Sequence, residues 1–235
     1  MIAISFDIDW APEFMVESIV DRLIEANVKS TWFVTNEGSY LAKMRARPDL
    51  FELGIHPNFF PGSSHGSSVP DVISHMKNLV PEAKLSRSHG VFQNGQVLFD
   101  LVAIGEIEMD CTMFTYGVPF KKCSTLYTPG GNLQRMPVFW ADDHEFNSPT
   151  SEWTFNKFLN EQGHMIFSFH PIHVYLNSNS SDHYDKLKKE VHIDQVTEEQ
   201  AAQFINSQNG SNTMLESILS LTKTKLEFIS TLSNN

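Results

Sequence analysis

Two aspartates lie two positions apart at the end of the first apolar segment, in the run SFDIDWAP. Because side chains alternate across a β-strand, Asp7 and Asp9 point to one side, and the residue between them points to the other. Paired carboxylates in one pocket can divide the work of hydrolysis: one holds a metal, and the other accepts a proton from the attacking water. A helix N-cap before Pro12 is an alternative role, but a single aspartate would serve it. The pair therefore predicts a metal-dependent hydrolytic site.

Histidine is abundant, with ten residues, and several stand beside Gly, Pro, Ser or Asn, which places them in loops. A metal that activates water is typically held by about three protein ligands and keeps at least one position open. Asp9, His56 and His65 form the predicted ligand set for one divalent metal, with zinc as the expected ion and iron, cobalt or nickel as alternatives. His65 follows His56 by nine positions, a spacing that fixes no geometry, so Asn58 or Asp7 could take its place.

Hydrolysis of an amide also needs an acid that protonates the leaving nitrogen. His170, in the run MIFSFHPIH, is the predicted acid, because a histidine that a nearby carboxylate keeps protonated can donate this proton. His173 lies three positions further on and is either a second candidate for this role or a substrate-binding side chain. Arg87, in LSRSHG, is predicted to orient the base aspartate through a bidentate contact, and exposure at a strand end is the alternative.

The run FWADD combines an aromatic side chain with carboxylates. Trp140 is predicted to stack on a sugar ring, while Asp142 and Asp143 orient the catalytic histidine; a solvated acidic turn is the alternative. Asp110 follows the strand-like run GEIEM and is predicted to bind substrate or to cap the next turn. His89 is a further predicted substrate-binding residue.

The segments that must position these residues alternate between strand and helix patterns. Strands are predicted over residues 2–6, 30–34, 51–55, 84–87, 106–110, 164–169 and 226–232, and residues 136–140 form a short β-prone piece. Helices are predicted over residues 13–26, 40–46, 69–79, 96–103, 152–162, parts of 182–207, and 213–223. Residues 112–149 are rich in Pro and Gly and are expected to form irregular loops over the mouth of a barrel.

The alternation of strand and helix predicts the fold class. Seven or eight repeats favour an α/β protein with a parallel sheet, closed as a distorted (β/α)7–8 barrel in a single domain over residues 1–235. In such barrels the chemistry sits where the strands end. The predicted strand ends carry most of the candidates: Asp7, Asp9, His56, Arg87, His89, Asp110, Asp142, Asp143 and His170.

Charge and composition exclude several function classes. A net charge of −11, from 17 Lys and Arg against 28 Asp and Glu, opposes binding to a nucleic acid or to an anionic membrane surface. No run of about 18 apolar residues is present, so no membrane insertion is expected. No secretory signal precedes the first strand, which predicts a cytoplasmic protein. Cys111 and Cys123 are expected to be free thiols, and the oligomeric state is left open.

Taken in order, six segments resemble the polysaccharide deacetylases of carbohydrate esterase family four, also called the chitooligosaccharide deacetylase homology domain. SFDIDW resembles the first motif, STWFV the following strand, ELGIHPNF the His-bearing second motif, RSHG the Arg-bearing third, FWADD the fourth and FSFHPIH the last. LEFISTLS resembles the family's terminal strand. The details are closest to the WbmS-type branch, which occurs with O-antigen and surface-polysaccharide genes. The resemblance implies that Asp7 is the base and His170 the acid. It also implies that Asp9 and His56 bind the metal.

The chain departs from the family pattern at three points. The family places a second histidine four positions after the first in the second motif, but Phe60 stands there and the next histidine is His65. Ile8 separates the two aspartates that the family usually has adjacent. RSHG lacks the Pro and the aromatic residue typical of the third motif. The third metal ligand therefore stays open among His65, Asn58 and Asp7.

The resemblance implies a metal-dependent hydrolase that removes an N-acyl group, most often acetyl, from an amino sugar, with a saccharide as its partner. A cytoplasmic precursor of a surface polysaccharide, linked to a nucleotide or a lipid, is the expected substrate. A metal-dependent phosphoesterase on a similar barrel, with two or three metals, is the first alternative. A barrel that binds carbohydrate without turnover and a cyclic-amide hydrolase are the others.

Overall fold

Strands and helices alternate along most of the residues that the computed structural model describes, which are 1–220 and 226–233. The strands are β1 (Ile2–Asp7), β2 (Ser30–Val34), β3 (Phe51–Ile55), β4 (Leu85–Ser86), β5 (Met109–Asp110), β6 (Ser124–Thr128), β7 (Gly131–Arg135), β8 (Trp140–Ala141) and β9 (Met165–Phe169). The α-helices are α1 (Glu13–Glu25), α2 (Tyr40–Arg45), α3 (Val69–Leu79), α4 (Gly95–Ala103), α5 (Asp142–Glu145), α6 (Pro171–Tyr175), α7 (Ser181–Glu190), α8 (Glu198–Ala202), α9 (Ser211–Leu219) and α10 (Ile229–Leu232). Short 3₁₀ helices cover His89–Val91, Phe155–Phe158 and Ile193–Gln195.

The strands form one sheet in the order β6-β7-β5-β4-β3-β2-β1-β9-β8. Every described pair is parallel except the β6–β7 hairpin. From β1 through β5 and β7, and from β8 through β9 back to β1, the order around the sheet follows the chain, as in a (β/α) barrel. The end strands β6 and β8 form no ladder with each other in the described residues, so the barrel is open there. The predicted distorted barrel is confirmed.

The central strands are buried on both faces. All residues of β1, β2 and β9 are buried, which explains why these strands are nearly continuous apolar runs rather than alternating patterns. Helix α1 covers the sheet with an apolar stripe at helical spacing, formed by Met15, Val16, Ile19, Val20 and Leu23. The free state expected for both cysteines is confirmed.

The C-terminal segment differs from its prediction. Residues 226–232 do not form a strand: Leu226 makes an isolated bridge to Ile2, and α10 follows. Ile229 and Leu232, three positions apart, are both buried, and the helical turn places them on the same face. Of the helix predicted over 213–223, the structure has α9, and residues 221–223 lie outside the described part of the chain.

The middle of the chain is more regular than its Pro and Gly content indicates. Within residues 112–149, β6 and β7 form a hairpin, and β7 extends the sheet by pairing with β5. Of its five residues only Leu133 is buried, so the segment lacks a strong strand pattern. Conversely, the helix predicted over 152–162 is reduced to one 3₁₀ turn that buries Phe155 and Phe158. Among the described helices none has the length and apolarity needed to cross a membrane.

Candidate active site

Three potential metal ligands meet where β1, β3 and β4 end. Asp9 follows β1, His56 directly follows β3, and His89 begins the 3₁₀ helix after β4. The Oδ1 atom of Asp9 lies 3.0 Å from Nε2 of His56 and 2.8 Å from Nδ1 of His89. The three ligand atoms lie within 4.8 Å of one another. One carboxylate oxygen and two imidazole nitrogens are a donor set that suits zinc and leaves a coordination position open.

The backbone after β1 is bent to place Asp9. Asp9 and Trp10 have φ values of +46° and +56°, a left-handed conformation that is uncommon for residues other than glycine. The amide of Asp9 donates a hydrogen bond of 3.1 Å to Oγ1 of Thr35, which fixes this turn against β2. As a result Asp9 faces one cavity, and Trp10 faces a neighbouring one.

The surroundings keep the Asp9 carboxylate ionised. Burial by itself raises the pKa of Asp9, but the charge and hydrogen bond of His56 and the hydrogen bond of His89 outweigh it and lower the pKa well below its usual value. The hydrogen bond to Asp9 in turn raises the pKa of His89 against the opposing effect of burial. The site therefore concentrates negative charge and nitrogen donors at one point, as a cation site does.

The structure does not bring His65 to this group. Its Nδ1 accepts a hydrogen bond of 3.1 Å from the amide of Asn58, and its ring packs between Trp10 and His75, with centroids 5.5 and 5.4 Å away. Burial and the charge of His75 lower the pKa of His65 to about 4. The Asn58 carboxamide is also occupied, because its Oδ1 accepts from the amide of Phe60.

His89 instead completes the group with Asp9 and His56. Sequence analysis places His89 at a strand end but assigns it to substrate binding. Which histidine reaches Asp9 depends on the path of residues 57–68, because this loop carries His65 to the far side of Trp10. The position of His89 inside the Arg-bearing run LSRSHG, two residues after Arg87, is the available signal.

Asp7 is held by a buried arginine. Nη1 of Arg87 lies 2.8 Å from Oδ1 of Asp7 and also donates to the hydroxyls of Ser5 and Ser168, at 3.0 and 2.8 Å. The Ser168 hydroxyl lies 3.2 Å from the second oxygen of Asp7. The guanidinium carbon of Arg87 stacks over the Phe33 ring at 4.2 Å. The contact to Asp7 uses one nitrogen, not the predicted bidentate pair, because the same nitrogen serves all three oxygens.

His170 and Asp142 form the second charged pair of the site. Nδ1 of His170 lies 2.7 Å from Oδ1 of Asp142, and the His170 amide donates to the other carboxylate oxygen at 3.0 Å. The Ser211 hydroxyl adds a third hydrogen bond to Asp142, at 2.8 Å. Burial opposes protonation of His170, but the charge and hydrogen bond of Asp142 prevail and raise its pKa well above the usual value. Nε2 of His170 points toward Asp9, whose Oδ2 lies 3.6 Å away.

His173 lies behind His170 instead of facing the cleft. Its ring packs against those of His170 and Phe146, with centroids 5.5 and 4.9 Å apart. Burial lowers the pKa of His173 to about 4, so this imidazole is neutral. The structure thus gives His173 the role of a packing partner and leaves His170 as the histidine at the cleft.

Trp140 and Asp110 also differ from their predicted roles. Trp140 is fully buried in the core, and its Nε1 donates to Oε2 of Glu145 at 2.6 Å, so it offers no face to a sugar. Asp110 is fully buried and pairs with Nε of Arg135 at 2.6 Å while accepting from the Thr112 hydroxyl at 2.6 Å. Burial raises the pKa of Asp110 despite this arginine. A buried indole and a buried carboxylate are indistinguishable in the sequence from exposed ones at a strand end.

The cleft between these groups has a volume of about 150 Å³. Asp7, Asp9, His56, Arg87, His89, Asp143, Ser168 and His170 line it. Phe114 and His144 form an aromatic wall, with ring centroids 3.9 Å apart. Sequence analysis does not single out this pair, although His144 directly follows the FWADD run. The aromatic surface expected from Trp140 is thus supplied by neighbouring residues.

The arrangement contains the kinds of group that metal-assisted amide hydrolysis requires. It combines a candidate cation site, a carboxylate fixed by arginine, and an imidazole kept protonated by a buried carboxylate, all facing one small cleft. A family model described as WbmS-like polysaccharide deacetylase matches residues 4–188. No curated protein matches the chain.

Solved structures with the same fold include a Bordetella bronchiseptica protein, WbmS, assigned to polysaccharide deacetylation in O-antigen biosynthesis. It is 29% identical over 93% of this chain and 89% of its own, with a TM-score of 0.79. A 4-α-glucanotransferase from Thermococcus litoralis is 10% identical over 99% of this chain and 38% of its own, with a TM-score of 0.55, a likeness of fold alone. A CE4 family pseudoenzyme from Bacillus anthracis is 13% identical over 99% of this chain and 65% of its own, with a TM-score of 0.47.

Proposed function

Because the chain belongs to the WbmS-like polysaccharide deacetylase family, we propose that it is a metal-dependent hydrolase that removes an N-acyl group, most often acetyl, from an amino sugar. The observation that carries this proposal is the convergence of Asp9, His56 and His89 on one point beside Asp7 and His170. A single cleft thus holds candidates for ligand, base and acid.

Asp9, His56 and His89 would hold one divalent metal, with zinc as the expected ion. When bound there, it would make water acidic enough to be deprotonated near neutral pH and would polarise the acyl carbonyl. Asp142, Asp143 and His170 form a second group whose ligand atoms lie within 4.8 Å of one another, but we assign its histidine to proton transfer. Asp142 already accepts hydrogen bonds from His170 and Ser211. One metal per chain is therefore expected, which disfavours the phosphoesterase alternative.

Asp7 is the proposed base that accepts the proton of the attacking water. Arg87 and Ser168 hold both carboxylate oxygens of Asp7 in place. This fixes its orientation at the floor of the cleft, so little reorganisation is needed when the proton moves. Asp7 lies at the end of β1, two positions before the ligand Asp9, so one strand end delivers both groups to the same pocket.

His170 is the proposed acid that protonates the departing amine. Asp142 accepts from Nδ1 of His170 and leaves Nε2 directed toward the ligand group. A protonated imidazole in this orientation can deliver its Nε2 proton to the leaving nitrogen. Asp143 lines the same cleft and is placed to bind substrate hydroxyl or amine groups.

A surface polysaccharide or its precursor is the proposed source of the amino sugar. The support is the assignment of the Bordetella bronchiseptica relative to O-antigen biosynthesis, together with its coverage of most of both chains. A cytoplasmic location stays a prediction.

The first test is metal content and acetate release, with two histidine variants as a matched pair. Protein purified without chelator or affinity metal should contain one metal and release acetate from N-acetylated amino-sugar glycans. His89→Ala should lose both properties, whereas His65→Ala should keep the metal because its ring packs against Trp10 and His75. Metal loss in His65→Ala with retention in His89→Ala would refute the proposed ligand set.

A further inference from the structure

The hairpin of β6 and β7 leaves one edge of the sheet open. Strand β6 stands at the end of the strand order, and among the described residues it pairs with β7 alone. Ser124, Thr125 and Tyr127 are exposed. At 77%, Tyr127 is the most exposed large hydrophobic side chain in the described part of the chain. The other end of the sheet is the two-residue strand β8, so only the β6 end presents a full strand to solvent.

The register of the hairpin shows which backbone groups of β6 are free. Because the turn at 129–130 has two residues, Thr128 and Gly131 form a hydrogen-bonded pair, and every second pair along the ladder does the same. The even-numbered residues of β6 therefore bond to β7. Thr125 and Tyr127 direct their backbone N–H and C=O groups to the open side, where no described residue bonds them.

This edge lacks the features that usually keep sheet edges from pairing. Charged residues, prolines and bulges commonly protect such edges. The run STLYT has no charge and no proline, and each of its residues faces one residue of β7, so the strand has no bulge. Threonine and tyrosine are also favourable residues for a β-strand. The edge can therefore accept another extended strand.

A second β6 fits this edge because the strand is complementary to itself. In an antiparallel pair around a twofold axis at Leu126, Thr125 of each copy lies opposite Tyr127 of the other. These are the residues with free backbone groups, so each such pair can exchange both of its N–H···O bonds. Leu126, which is half-buried, meets its counterpart across the axis. The two Tyr127 side chains take diagonal positions roughly 7–8 Å apart, within reach of aromatic rings.

The charges at the two ends of β6 favour the same arrangement. Lys121 and Lys122 precede the strand and are exposed. The turn at its other end lies toward Glu106 and Glu108, because β7 starts at this turn and runs parallel to β5. These glutamate side chains are 76% and 70% exposed, and Lys84, at 3.4 and 3.6 Å, balances only one of the two charges. Antiparallel pairing brings the basic end of one copy toward the acidic end of the other, whereas parallel pairing would align like charges.

We propose that two copies of this chain associate through β6 and form one continuous sheet across the dimer. The contact is short compared with the roughly 20–30 residues per side of a standard interface, so the dimer should be reversible, with a dissociation constant on the order of micromolar. The residues that line the cleft do not include β6, so this inference goes beyond the proposed function and can fail independently of it.

The test is the mass of the parent protein by sedimentation as a function of concentration, together with two double variants. Thr125→Lys/Tyr127→Glu places opposite charges directly across from each other in this register and should keep the dimer. Thr125→Lys/Tyr127→Lys places like charges there and should weaken association by about tenfold or more. The two variants differ in one exposed side chain, so any effect on folding of the monomer should be similar in both.

Leu159→Lys is the control for nonspecific association. Leu159 is another exposed hydrophobic residue, at 58%, and lies outside the hairpin. Its replacement should leave the dissociation constant of the dimer unchanged. An equal loss of association in Leu159→Lys and in Thr125→Lys/Tyr127→Lys would show that the copies do not meet through β6.

Hydrogen exchange gives a second measurement, residue by residue. The amides of Thr125 and Tyr127 should exchange more slowly as the protein concentration rises. Those of Leu126 and Thr128 already bond to β7 and should not change. A parent protein that stays monomeric at every concentration, or a dimer that persists in Thr125→Lys/Tyr127→Lys, would overturn the proposal. Loss of the dimer in both double variants would refute the proposed register.

Discussion

The two halves of the cleft are held in place by different means. Asp9, His56 and His89 stand on the β1–β4 side, where each strand pairs with its neighbours without interruption. His170 directly follows β9, which pairs with β1 over five residues, whereas Asp142 follows β8, which has only two residues and lies at the end of the sheet. Backbone ladders therefore position the candidate ligands and the candidate acid His170, whereas Asp142, the carboxylate partner of this acid, depends on side-chain contacts.

Glu145 organises the second half. It is fully buried and accepts from Nε1 of Trp140 at 2.6 Å and from Nζ of Lys157 at 2.8 Å, and the Tyr116 hydroxyl also bonds it. These contacts hold α5, whose first residue is Asp142. The site thus combines side chains that the backbone positions with side chains that a buried polar network positions. Substitutions in the polar network should therefore disturb the site more easily than substitutions along the strands.

Removing a ligand should have the largest effect. Asp9→Ala or His56→Ala should abolish metal binding and acetate release together, because each takes one of the few groups that hold the cation. Metal analysis of the purified variants and an acetate assay measure both. Full metal occupancy in His56→Ala would show that the β1–β4 side does not form the cation site.

Removing the candidate acid should lower turnover without affecting metal binding. His170→Ala should keep the metal and lower turnover by about 10²- to 10⁴-fold, the range expected for loss of a general acid. Metal content and kcat on the same preparation provide the measurement. If the metal is lost as well, the two halves of the cleft are coupled and do not keep their structure independently of each other.

Weakening the network should give the smallest effect. Glu145→Gln leaves the Lys157 ammonium without its carboxylate, so the free energy of unfolding should fall by about 1–3 kcal/mol. Turnover should fall with unchanged metal content, because α5 carries Asp142. Glu216→Gln is the control: its ion pair with Arg22 is exposed, and its loss should cost about 0–1 kcal/mol. Chemical denaturation compares the two, and equal stabilities would contradict the role assigned to Glu145.

The same contrast explains what could be predicted from the sequence. The strands β1, β2, β3 and β9 are mostly apolar and almost entirely buried, so their bounds agree with prediction to within a residue or so. Residues placed directly after them, such as His56, consequently fall into the cleft. The hairpin of β6 and β7 could not be found in this way, because it lies at the end of the sheet, where one buried leucine provides almost no pattern.

The remaining differences depend on contacts between distant residues. Sequence analysis predicts His65 as the ligand and His89 as a substrate-binding residue, but only the path of the loop after His56 decides which of them meets Asp9. Trp140 precedes two aspartates, as a sugar-binding aromatic residue would. Its indole is nevertheless buried in the core, where it donates a hydrogen bond to Glu145. Both outcomes depend on contacts between residues that are distant in the chain, which local sequence patterns do not encode.

The place of β1 in the sheet also bears on how the protein is made. Strand β1 lies between β2 and β9, and Asp7 meets the Ser168 hydroxyl from 161 positions further along the chain. During synthesis, the edge of β1 that faces β9 therefore stays unpaired until residues 165–169 have been made. Such long-range pairing slows folding and exposes a surface prone to aggregation. We expect nascent chains that stop before residue 165 to depend on chaperones, while full-length chains complete the floor of the cleft as their last cooperative step.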